Sequence, residues 1–254
     1  LVALALFSCN KKTFNVNVEL QNAEGKMIYL QKRADKELIT IDSAMMQNNL
    51  VNFVVETSDI AAHYYVRIQG MRFPISFFSE NKDILISGDF KDDRNIIANG
   101  SDAQQLINDY NAEMKNFSNQ SKELFEKYEI ASKKNDETAI QAIESEYEQV
   151  EKNQTTYQNL FLTKNSNSFV APYILYNNRY NYELNELEDF VNNFNIKEEN
   201  IYSKLLDEYI TALQRVDIGQ PYLDFTQETP EGYLLSLSEL VGKSKLLLVD
   251  FWLT

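Results

Sequence analysis

The 254 residues hold one histidine, one cysteine, one tryptophan, four prolines and seven glycines. Zinc needs several nitrogen or sulfur ligands, so His63 and Cys9 alone exclude an ordinary zinc site, and no metal is expected. One thiol also excludes a disulfide within the chain. A Ser-His or Cys-His dyad would have to use His63. That residue stands in the strand-like run AAHYYVRI, where it reads as a strand-face residue rather than a catalytic base. Basic residues are scarce too: 24 Lys and Arg against 38 Asp and Glu leave a net charge of −14. So acidic a body repels phosphate backbones, which argues against nucleic acid as a partner. No apolar run reaches the ~20 residues that a membrane-spanning helix requires. What is plentiful is apolar bulk: 44% hydrophobic residues, with fifteen Tyr and fifteen Phe, enough for a packed core in one large or two smaller domains.

Residues 1–8 are apolar or small, Cys9 follows, and Asn10, Lys11 and Lys12 turn polar. That order matches the apolar region and cleavage end of a secretory signal whose charged start is missing. LFSC (6–9) resembles a bacterial lipobox, with Leu6 three residues before the cysteine and the small Ser8 just before it. The resemblance implies acylation of Cys9 and a mature chain held to a membrane, facing an envelope compartment, by a lipid anchor. Two or more acyl chains, at about 0.8 kcal/mol per buried CH₂, anchor stably.

FNVNVEL (14–20) alternates apolar and polar, NAEGK supplies a turn, and MIYLQKR resumes the alternation, which together predict a hairpin. Further strands are expected at 38–46, 50–56, 63–69, 73–80 and 83–90. This spacing is typical of an antiparallel sandwich. Pro74 belongs at an edge or at the first residue of its strand. Ser101 with Gln104 forms the signature of a capping box. Leu106, Ile107, Tyr110, Met114 and Phe117 then follow at helical spacing. A second helix begins near Ile140, so two long helices with a short polar turn predict an antiparallel hairpin. Shorter helices are expected at 171–180 and 186–194, and a longer one at 199–216. Tyr173, Tyr176, Tyr180 and Tyr182 form an aromatic group whose expected use is packing.

From Ile218 onward, Pro221, Pro230 and Gly232 mark two short strands, SLSELVGK a helical turn, and LLLVDFW a buried strand. In that order the segment resembles the entry to a TlpA-like thioredoxin domain. Gly219, Pro221 and Phe225 fit its first motif, with Gln220 where the family usually has Ala. Ser236, Leu237, Gly242 and Lys243 fit the second, and Asp250, Phe251 and Trp252 the third. In the family this last motif runs on to the redox Cys-x-x-Cys. The β-rich part similarly resembles a domain of unknown function often placed ahead of such thioredoxin domains. IDSA (41–44), FFSE (77–80) and Gly100-Ser101 carry that second resemblance.

These resemblances imply an α+β multidomain chain. Residues 1–9 would be the signal end with its lipobox Cys, and 10–100 a β-sandwich-like domain. Residues 101–216 would be a helical region, and 217–254 the start of a thioredoxin-like domain. The implied parent is an envelope thiol-disulfide oxidoreductase acting on disulfide-bonded or thiol proteins without a cofactor. Its first thiol would be activated at a helix N-terminus. Asp250 would be a buried acid that exchanges a proton with the resolving thiol. Both redox cysteines would lie beyond Thr254, so this chain is expected to be inactive in disulfide exchange. A peroxiredoxin shares the same entry but usually places Pro soon after the strand, so Trp252 favours the thioredoxin-like reading. The alternative of another class is a lipid-anchored binding or scaffold module without catalysis.

Overall fold

The structure is a computed structural model that describes residues 12–34, 37–57, 61–196 and 200–251. Its contacts divide the chain into two compact units, Leu1–Leu206 and Asp207–Thr254. Cys9 and Trp252 lie outside the described residues.

The first unit opens with eight strands: β1 (Thr13–Gln21), β2 (Met27–Ala34), β3 (Glu37–Met45), β4 (Leu50–Glu56), β5 (Ala62–Ile68), β6 (Ile75–Ser79), β7 (Ile84–Asp89) and β8 (Asp92–Asn99). They form two four-stranded sheets, ordered β4-β1-β7-β8 and β3-β2-β5-β6. Alternation explains the sandwich. On β1, Phe14, Val16, Val18 and Leu20 are buried, while the residues between them are not. Ile28 and Leu30 on β2, Tyr64, Val66 and Ile68 on β5, and Ile84 and Ile86 on β7 belong to the same core. Each such side chain, fully buried, contributes roughly 1.5–3 kcal/mol.

Two expectations about the sheets are corrected. β1 and β2 do not pair; β1 lies between β4 and β7, and β2 between β3 and β5. Asn22 (φ 59°) and Gly25 (φ 73°) turn the chain between sheets, around the buried Ala23. Gly25 N–H then donates to Met46 C=O, tying this turn to the β3–β4 connection. The sandwich is also not wholly antiparallel, because β1 and β7 run parallel, with Val16 opposite Ile84. β8 was not foreseen, since its opening DDRN looks like loop. Pro74 sits just before β6, an edge strand, where its missing N–H removes no ladder bond.

Five helices follow: α1 (Asp102–Lys134), α2 (Glu137–Lys164), α3 (Val170–Asn177), α4 (Leu184–Asn193) and α5 (Ile201–Val216), the last crossing from one unit into the other. α1 and α2 pack together as the expected hairpin, joined through Asn135 in the left-handed region (φ 52°), whose N–H caps α1. Sandwich and helices up to Leu206 fall within one compact unit. The physical reason is that α1 packs on β6 and β8.

The second unit holds the two short strands expected there, β9 (Thr226–Glu228) and β10 (Leu234–Ser236), paired antiparallel. A turn of 3₁₀ helix at Leu237–Glu239 follows, reciprocally capped between Ser236 and Glu239. LLLVDF (246–251) is not the buried strand that its composition predicts. Residues 246–251 have no strand assignment, and Leu246, Leu248 and Phe251 are 90%, 91% and 79% exposed. A strand needs a neighbouring backbone for its ladder, and β9 and β10 pair only with each other.

Candidate functional site

The residues that gather polar chemistry in the first unit lie where β6 meets the start of α1. β6 is an edge strand, so one side of its backbone needs partners. Side chains supply them. Gln104 Oε1 accepts from Phe78 N–H at 2.9 Å, and Ser101 Oγ donates to Phe78 C=O at 2.7 Å. Ser101 also caps α1 by accepting from Gln104 N–H at 3.0 Å. The expected capping box is therefore half made, because the Gln104 side chain clamps the strand edge. Glu80 Oε2 accepts from Ala103 N–H at 3.1 Å, adding a negative charge at the helix N-terminus. Gly100, at φ +134°, admits no side chain, since an added Cβ would stand 2.0 Å from the Asp83 carbonyl oxygen. FFSE and Gly-Ser, distant in sequence, are thus two halves of one joint.

His63 lies beside it on β5, paired across the ladder with Phe78. Its ring stacks on Phe78 at 4.2 Å and meets Tyr173 edge-on. Nδ1 is within hydrogen-bonding distance of the Tyr202 hydroxyl and lies 3.1 Å from that of Tyr65, which accepts from Arg33 Nε at 3.4 Å. Nε2 is buried without a hydrogen-bond partner. Desolvation, helped by the Arg33 charge, lowers the His63 pKa to about 3, so the ring is neutral. Burial also pushes the Tyr202 and Tyr173 phenols above their ordinary value. A neutral imidazole within hydrogen-bonding reach of the Tyr65 and Tyr202 hydroxyls fastens α5 to the sheet.

The strand-face reading of His63 thus holds, but its face is the one that receives the helices. Tyr202, Tyr65 and Arg33 were not singled out by sequence reasoning. Only the alternation of β5, which puts His63 and Tyr65 on one face, hinted at the group. Three of the four tyrosines at 173–182 pack as expected, though not as one cluster, and Tyr180 does not. Tyr173 and Tyr176 meet Tyr202, Tyr182 packs on Phe190 and bonds Gln158 and Asn159, and Tyr180 is exposed beside Arg179.

In the second unit, Asp224 Oδ1 accepts from Ser238 N–H at 2.8 Å, and the Ser238 bonds hold the Asp224 carboxyl below the usual range. Phe225 packs on Phe251 at 5.6 Å between ring centres. A groove of about 740 Å³ runs between the hairpin and 247–250, lined by Phe225, Leu235, Leu237, Leu240, Leu247 and Val249. Asp250 also lines it and is exposed. The strand meant to bury it has not formed. Among the described residues no group of three His, Cys, Asp or Glu could hold a metal, and no helix is long and apolar enough to cross a membrane.

Comparison with known proteins bears on the first unit alone. Residues 13–107 match a domain of unknown function, DUF4369. The match runs from the first residue of β1 through Gln104 and Ile107, so it takes in the whole β6–α1 joint. No curated protein and no solved structure matches the chain.

Proposed function

We propose that this chain is the N-terminal part of a lipid-anchored envelope thiol-disulfide oxidoreductase of the TlpA-like thioredoxin kind. The observation that carries the reading is the order of its parts. A lipobox-like Cys9 precedes a domain matching DUF4369, a helical stretch follows, and the three thioredoxin-entry motifs at 219–225, 236–243 and 250–252 come last. The short β9–β10 hairpin and the capped turn after it, in the order the entry calls for, also support it. In this reading the anchor holds the β domain at a membrane, and the helices present a redox domain to disulfide-bonded or thiol envelope proteins. The chain's own part is to anchor and position. With Cys9 its one cysteine, it has no second thiol to resolve a mixed disulfide.

The test uses the complete reading frame that encodes the chain. An in-frame Trp-Cys-x-x-Cys directly after Thr254 and insulin reduction by its product are expected, with none by residues 1–254. A frame without that motif overturns the redox reading and leaves a binding or scaffold module, while turnover by the 254 residues themselves overturns the assignment of the redox thiols to the part beyond them. Acyl labelling that Cys9→Ala does not abolish overturns the anchor.

A further inference from the structure

The run KLLLVD (245–250) has the chemistry of a strand and none of its bonds. Leu246 and Leu248 are 90% and 91% exposed, whereas Leu247 and Val249 are 42% and 39% exposed. That period of two is the mark of an extended chain. Leu247 and Val249 line the groove beside the β9–β10 hairpin, and Leu246 and Leu248 face water. From Leu247 to Asp250 no main-chain N–H or C=O has a partner among the described residues. An extended apolar segment with open main-chain groups is a template for another strand. With no Pro, no Gly and no net charge, this one fits the composition of segments that stack on copies of themselves.

The two charges decide the direction of pairing. Lys245 opens the run and Asp250 closes it, both exposed and neither ion-paired among the described residues. Stacked parallel and in register, two copies would set Lys beside Lys and Asp beside Asp, which opposes pairing. Antiparallel strands can instead set Lys245 of each copy opposite Asp250 of the other. Leu246 then stands opposite Val249, and Leu247 opposite Leu248. One register satisfies both ends at once.

The same register covers the open leucines. Opposed residues share a face of the ladder, so Leu246 and Leu248 of one copy lie beside Val249 and Leu247 of the other. The groove side of each copy therefore adjoins the water side of its neighbour. The two hairpins stand on opposite faces of the ladder and do not collide. No two-fold axis relates strands paired in this register, so the contact is heterologous and is not closed at two copies.

We propose that residues 245–250 dock the same segment of a second copy of the chain, as antiparallel strands with Lys245 and Asp250 paired at each end.

Sedimentation velocity of the full chain over a concentration series tests this, and self-association is expected. Lys245→Asp and Asp250→Lys each turn both end pairs into like charges, and each should weaken it about 10-fold or more. They move the net charge of −14 in opposite directions, so a general charge effect would drive the two apart. An equal mixture of the two variants decides the matter, because every Lys of one then meets an Asp of the other. The mixture should associate within about 3-fold of the wild type. Unchanged helical circular dichroism confirms that each variant is folded, and Lys245→Glu or Asp250→Arg replaces one that is not. A monomeric wild type overturns the proposal, as do single variants that associate like the wild type or a mixture no tighter than its components.

Discussion

Two stretches of this chain both read as strands, one by alternation and one as an unbroken apolar run, and meet opposite ends. FNVNVEL becomes β1, with backbones on both sides and Phe14, Val16 and Val18 buried. KLLLVDF, the more apolar of the two, stays outside any ladder with its leucines in water. Intrinsic preference does not separate them. Neighbours do: a strand exists where another backbone completes its hydrogen bonds, and apolar content only selects the face it buries.

Truncation at matched positions should break this contrast most visibly. Phe53→Ala, in the sandwich core, is expected to cost about 3–5 kcal/mol, read from denaturant midpoints of the full chain. Leu248→Ala should stay within about 0.5 kcal/mol. Equal losses would mean that the C-terminal run is packed after all.

A pH series is expected to show the next largest effect. Unfolded His63 binds a proton below its ordinary 6.5, whereas the folded ring resists protonation down to about 3. Stability from this residue is therefore complete above pH 6.5 and is lost as pH falls toward 3, by a few kcal/mol in all. His63→Phe should flatten the wild-type slope in that window, and an unchanged slope would place the acid sensitivity elsewhere.

At the joint, Gly100→Ala should cost about 1–3 kcal/mol or more, because both the backbone conformation and the Asp83 carbonyl oppose a side chain. Gly25→Ala meets no atom within 4 Å and should cost less, which makes the pair a test of crowding against backbone strain alone. Tyr202→Phe removes one buried hydroxyl and should lose about 1 kcal/mol without altering the fold. No loss at all would mean that the His63 contact is incidental to holding α5.

Much of the architecture was legible because its signals are local. Seven of the eight sandwich strands, the edge role of Pro74 and the long helices follow from period and punctuation. Pairing was not legible. That β1 would leave β2 for β4 and β7 depends on contacts far away in the chain, which no window of alternation contains. The polar joint was half legible. Ser101 and Gln104 carry a helix-start signature, but Gln104 bonds the edge of β6, a partner known only once the strand is in place. His63 showed its strand and not its companions, since Tyr202 arrives from a helix 139 positions further on.

The parallel pairing of β1 with β7 also sets a timetable. Asn15 and Asp83, bonded at 2.7 Å where the two strands meet, are 68 positions apart. A hairpin forms as soon as its second strand leaves the ribosome, but the central strand of this sheet must wait for β7 with one edge open. Closing so wide a loop slows folding. Until then β1 keeps one edge open, and its four buried apolar residues are within reach of any chaperone that meets the nascent chain.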